Sequence, residues 1–343
     1  MHVLVSCVGS AGDLNPFLAI GQVMAQRGHR VDLMASPVFA ARVAAAGLGF
    51  LPFGSVAQYE RIVQQAALWD PRRSFALMWR EMAAQLEAAH AALVARIEPG
   101  RTVLVGSTLA WHVRLAQETH AVPALTVHLS PVCIFSGLAP ARLPGLFDLR
   151  GCPSGWVRGL HSAVERLAID RVVAPEFDRI RRRLGLPPVR RVLSHWVNSP
   201  QGVACAWPAD FAPRQADWPP RAETTGFPRW PAGLPQGFAP MAHDQFDNAS
   251  GWVRQGVGVR FGRRGWARSL PRVRCMLFHP SCGQALAPAS SGSSTGRPIG
   301  SLRHRCGTCC SFLGAFADRT VARGRPTGTV NRLLGVGTEE PFL

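Results

Sequence analysis

Residues 1–17 read MHVLVSCVGSAGDLNPF, and the order of residue types in this stretch decides the fold. Val3–Val8 is a short apolar run rich in β-branched residues, as a buried strand requires. Gly9-Ser10-Ala11-Gly12-Asp13 breaks it. Pro16 then opens an amphipathic stretch that runs to Arg27 and stops at Gly28. The run has neither a basic leading segment nor a small-residue cleavage site, so it reads as a first strand and not a signal peptide.

The same alternation continues outward. Further strands are expected at Arg30–Ala35, Leu48–Phe53, Thr102–Val105 and Ala124–Leu129. Helices are expected at Pro37–Ala46, over 71–97, around Ala110–Thr119 and over 155–185. Strands alternating with helices of this length imply βαβ units and a Rossmann-like, doubly wound parallel α/β sheet. Val203–Ala206 reads as the last strand, followed by Pro- and Trp-rich connecting chain to Pro228. The basic run Arg179–Arg183 reads as a solvated helix face.

The chain has 343 residues, 47% hydrophobic and 17% charged, a globular composition. No apolar run reaches the roughly 20 residues that span a bilayer. All 38 basic residues are arginine and the net charge is +17. The excess is concentrated late: residues 258–343 carry 13 Arg against three acids, and 248–317 contain no Asp or Glu. With no recognisable module, this does not amount to a nucleic-acid interface. Five of the nine cysteines crowd into 275–310. Cys275, His279, Cys282, His304, Cys306, Cys309 and Cys310 could be read as zinc ligands, but one Cys-x-x-Cys without a second spaced pair argues against a metal. Cys7, in an apolar strand, reads as a reduced, buried thiol.

The turn after the first strand is the place for chemistry. In an open α/β sheet, ligands collect at the C-terminal ends of the strands. Glycines there let backbone N–H groups approach an anion at a helix start. Asp13 would repel phosphate, but it suits a carboxylate that takes a proton from an incoming hydroxyl. Its structural alternative is a helix N-cap.

Gly9-Ser10-Ala11-Gly12-Asp13, with Asn15-Pro16-Phe17 and Arg27-Gly28-His29, resembles the opening of GT-B glycosyltransferases of the sterol- and antibiotic-glycosyltransferase type, and within them the rhamnosyltransferases of rhamnolipid synthesis. The resemblance continues through Leu68-Trp69-Asp70-Pro71, Val105-Gly106-Ser107, Ser199-Pro200-Gln201-Gly202, Phe211-Ala212-Pro213, Asp217-Trp218-Pro219 and Thr225-Gly226-Phe227-Pro228. It implies that residues 1–230 are an acceptor-binding domain with Asp13 as base and with Ser10 and Gly12 shaping the loop beside it. Ala242-His243-Asp244-Gln245-Phe246-Asp247-Asn248-Ala249 resembles the family's donor-sugar motif. Asp244, Gln245 and Asn248 would then bond sugar hydroxyls, the alternative being a helix cap.

Between these blocks the chain departs from the family. Pro228 lies only 16 residues before Asp244, so the strands, helices and diphosphate-binding loop of a second domain are not there. Residues 231–261 read as a remnant of the donor domain. Residues 262–343 read as a tail without a core, of the composition that a GC-rich gene gives out of frame. The function expected from the resemblance is inverting transfer of a hexosyl group from a dTDP- or UDP-sugar to a hydroxyl of a lipid-like or other apolar acceptor. It is expected to be impaired here by the missing segment, the alternative being a non-catalytic acceptor- or lipid-binding remnant. The nucleotide sugar is a co-substrate, so no cofactor, metal or covalent intermediate is expected. The setting expected is the cytoplasm, with peripheral contact at the inner membrane surface.

Overall fold

The computed structural model describes residues 1–70, 73–141 and 148–228. Seven parallel strands form one sheet in the order β3-β2-β1-β4-β5-β6-β7. They are β1 His2–Ser6, β2 Arg30–Ala35, β3 Gly49–Pro52, β4 Thr102–Ser107, β5 Ala124–His128, β6 Val203–Cys205 and β7 Ala222–Thr224. The order reverses between β1 and β4, which makes the C-terminal ends of those two strands the switch point of a doubly wound sheet.

Alternation along β1 divides the molecule into layers. Val3 and Val5 face α1 (Ala11–Gln26) and pack with Leu14, Phe17 and Leu18. Leu4 faces the other way, into Ala89 and Leu93 on α4 (Ser74–Val94) and Val113 and Ala116 on α5 (Trp111–His120). All of these except Ala89, at 5%, are almost fully buried. The side of the sheet away from α1 carries a second layer of apolar packing. Trp79, Trp111, Phe177 and Trp196 stack edge to face and tilted, with ring centroids 4.9–5.8 Å apart. They join α4 and α5 to α7 (Asp170–Arg183). Two short helices, α2 (Ala40–Ala45) and α3 (Val56–Gln64), flank β3. An exposed helix, α6 (Ser154–Val164), leads through one π-turn, Glu165–Ile169, into α7.

Four readings of the sequence are corrected. The first helix begins at Ala11, so Pro16 lies inside it and does not open it, because Ser10 already caps the start. Helix α3 was not expected. The connecting chain after Val203–Cys205 contains a seventh strand, Ala222–Thr224, which adds to the sheet edge by pairing with β6. Arg181, in the run expected to be a solvated face, is 3% exposed. Its guanidinium donates to Glu118 Oε2 at 2.6 Å and to the Pro187 carbonyl at 2.6 Å.

The expected donor-domain remnant 231–261, the tail 262–343, the donor motif Asp244, Gln245 and Asn248, and the Cys/His cluster all lie outside the described residues.

Candidate functional site

The turn between β1 and α1 sits at the switch point and is fixed on both sides. Cys7 N–H donates to the Met34 carbonyl at 2.9 Å, and Val8 N–H donates to Ser107 Oγ at 3.2 Å. The loop is thereby tied to β2 and to the end of β4. Gly9 follows with φ +149°, a backbone that L side chains rarely adopt.

Ser10 is the N-cap of α1, and Asp13 is the third helical residue of a capping box. Ser10 N–H donates to Asp13 Oδ2 at 2.7 Å and Ser10 Oγ donates to the same oxygen at 2.9 Å. Gly12 N–H donates to Ser10 Oγ at 3.3 Å. Ser10, Gly12 and Asp13 are therefore brought together, with Ser10 and not Asp13 as the N-cap. The Asp13 carboxylate folds back over Gly9: a Cβ at Gly9 would lie 2.3 Å from Asp13 Oδ2. Gly9 is required by both backbone and space.

Asp13 is partly buried, and its charge is felt by two proton donors around it. Burial, followed by the Asp13 carboxylate, pushes the Cys7 thiol well above its ordinary value. The same two causes, in the same order, raise Tyr59, the chain's single tyrosine. Tyr59 packs edge-on against Phe39 at 5.5 Å. The Asp13 carboxylate thus lies within electrostatic reach of a buried thiol and a partly buried phenol.

Two buried histidines stand behind the ends of the neighbouring strands. His112 Nε2 lies 2.7 Å from Ser6 Oγ, both side chains are fully buried, and the imidazole stacks on Phe53 at 5.4 Å. Burial, helped by His90, holds His112 down to about 3. His128, at the end of β5, is held down to about 4 by burial, against the opposing bond from Asn198. Asn198 Nδ2 donates to the Ser194 carbonyl at 3.0 Å, which turns Oδ1 toward His128 Nε2 at 2.8 Å. The proton therefore sits on Nε2, and Nδ1 accepts from Thr108 Oγ1 at 2.9 Å. Thr108 is partly exposed at the end of β4.

Sequence reasoning found the Asp13 turn but neither histidine. Each is a lone His whose partner lies 70 or 106 residues away, so no local pattern marks it.

The chain spans about half the length of the curated relatives it matches. An uncharacterized glycosyltransferase of Mycobacterium bovis, Mb1551, is 30% identical over 194 residues, 54% of this chain and 44% of that protein. Glycosyltransferase GtfE of Amycolatopsis orientalis is 27% identical over 223 residues, 62% of this chain and 52% of that one. Among solved structures, the glycotransferase of kitacinnamycin is 20% identical, with a TM-score of 0.49 over 70% of this chain and 55% of that one. Residues 3–134, which hold β1 to β5 and the Asp13 turn, match the Glycosyltransferase family 28 N-terminal domain.

Proposed function

We propose that the chain is a glycosyltransferase that moves a hexosyl group from a dTDP- or UDP-sugar to a hydroxyl of an apolar acceptor, with inversion. The observation that carries this reading is the position of Asp13: a partly buried carboxylate at the switch point of a doubly wound sheet, inside the segment that matches the family. Asp13 takes the proton of the acceptor hydroxyl. The acceptor oxygen then bonds to the anomeric carbon, and the bond from that carbon to the nucleoside diphosphate breaks, the diphosphate leaving with the electron pair.

Ser10 holds one carboxylate oxygen through two hydrogen bonds, which fixes the base in a single orientation. Gly9 gives the room for that orientation. Tyr59, partly exposed and backed edge-on by the buried Phe39, offers aromatic surface to the body of the acceptor, which suits a lipid-like compound. Asp244 and Gln245, with Asn248, hold the sugar hydroxyls in this reading.

A second reading is favoured by the short spacing of the two blocks, Pro228 lying only 16 residues before Asp244. In that reading the two motifs adjoin without the segment that would hold the diphosphate, and the chain binds the acceptor and transfers nothing.

The two readings part on release of nucleoside diphosphate from a dTDP- or UDP-hexose by the full chain. Release that rises when an apolar hydroxylated compound is added supports transfer. No release, together with thermal stabilisation by that compound alone, contradicts transfer and leaves the binding remnant.

A further inference from the structure

We propose that α6, the π-turn and the start of α7 form a docking face for an anionic membrane surface. Seven large hydrophobic residues are exposed among the described residues, and five gather here: Leu138 at 48%, Trp156 at 57%, Val164 at 47%, Leu167 at 62% and Val172 at 41%. Leu138 belongs because its loop lies on α6, where a Cβ at neighbouring Gly137 would meet Arg158 and the Ser154 carbonyl. Within α6 itself Val157 is the one fully buried residue, while Gly155, Trp156, Arg158, Gly159 and Val164 are exposed.

The charges on this segment have one sign. Over residues 154–172 the exposed ones are Arg158, Arg166 and Arg171. The two acids of the same stretch, Glu165 and Asp170, are 1% and 4% exposed. Each is turned inward: Glu165 Oε1 accepts from Ser194 N–H at 2.7 Å, and Asp170 Oδ2 from Arg191 N–H at 3.0 Å. No carboxylate among the described residues pairs with the guanidinium of Arg158, Arg166, Arg171 or Arg191.

Beside the apolar side chains, a shallow groove of about 700 Å³ is lined by Arg166, Arg171, Arg190 and Arg191, with Asp170 and Asp178 between them. Asp178 is already paired with Arg190 at 2.8 Å. Arg191 sits at φ 57°, a left-handed backbone that costs energy for a residue with a side chain. Apolar side chains including a tryptophan, flanked by arginines and cleared of exposed acids, complement a bilayer interface. The rings and methyls enter the acyl boundary while the guanidiniums meet lipid phosphates. With Asp170 buried and Asp178 paired to Arg190, the charge left over is basic, which an anionic surface matches better than a protein partner of mixed charge.

The proposal does not depend on glycosyl transfer, and its test needs no donor and no turnover. The full chain is sedimented with vesicles of phosphatidylcholine alone or with about a third phosphatidylglycerol. The net charge of +17 alone favours anionic vesicles, so the decisive comparison is between two double variants of equal charge. Trp156→Glu with Leu167→Glu is expected to lower binding to the anionic vesicles about tenfold. Val56→Glu with Val63→Glu, on the exposed face of α3, is expected to leave it within about twofold. Arg166→Gln with Arg171→Gln, which leaves the apolar side chains in place, is expected to weaken binding about tenfold. Thermal melts check that each variant folds. Equal losses in the two glutamate pairs, no loss in either, or no binding by the unaltered chain would overturn the proposal. So would a Trp156/Leu167 variant that changes only the oligomeric state in gel filtration, since the face would then meet a second copy.

Discussion

At the scale of single residues, His112 and His128 are neutral in the folded protein because burial resists their charge. The sign of the consequence is fixed. The unfolded chain takes up protons below the ordinary value of 6.5, while the folded chain refuses them until about 4 or 3. Stability is therefore whole above pH 6.5 and falls as pH drops toward 4, each histidine contributing about 1.4 kcal/mol per pH unit. Melting temperatures between pH 7 and 5 should fall less steeply for His112→Asn than for the unaltered chain. Equal slopes would contradict the burial account. Asp13 is a different case, because its place after the first strand was legible from the glycines and from the resemblance. Its bonding to Ser10 was only half legible: a serine three residues before a carboxylate allows a capping box, but the sequence gives equal licence to Asp13 as the cap itself. The histidines were illegible because a buried polar residue is explained by partners far along the chain.

At the scale of elements, the capping box and the aromatic layer can each be tested by one change. Ser10→Ala removes the cap from α1 and should cost about 1 kcal/mol in denaturant unfolding. Gly9→Ala meets both the φ of +149° and the Asp13 carboxylate, and should cost about 1–3 kcal/mol while moving that carboxylate. Glu118 joins three groups: Arg181 Nη1 at 2.6 Å, Trp196 Nε1 at 2.7 Å and Arg114 Nη2 at 3.3 Å. Arg114 and Arg181 are 8% and 3% exposed, so Glu118→Ala leaves two nearly buried cations without their carboxylate. A loss of about 3–5 kcal/mol is expected, and a loss below about 1 kcal/mol would show that water replaces the carboxylate. The strands with long apolar runs were read from sequence within a residue or two. Two elements escaped. Helix α3 has no buried residue to set an apolar period, and β7 is a three-residue edge strand amid prolines, whose pairing comes from β6 and not from its own pattern.

At the scale of the whole molecule, the parallel sheet was legible because six short apolar segments separated by connecting chain repeat one pattern, and repetition survives errors at any single boundary. The apolar clusters of the described residues draw their members from Met1 to Phe227. A fragment of residues 1–228 is therefore expected to unfold in one cooperative step within a few degrees of the full chain. Loss of that cooperativity would show that later residues complete the core. The activity is tested most directly by one comparison: the rate of nucleoside diphosphate release at saturating acceptor for the full chain and for Asp13→Asn. The asparagine keeps a side-chain oxygen for Ser10 but cannot take a proton, so the rate is expected to fall by about a thousandfold with the melting temperature nearly unchanged. A variant that keeps its rate within about twofold would show that Asp13 completes the capping box with Ser10 and does nothing more.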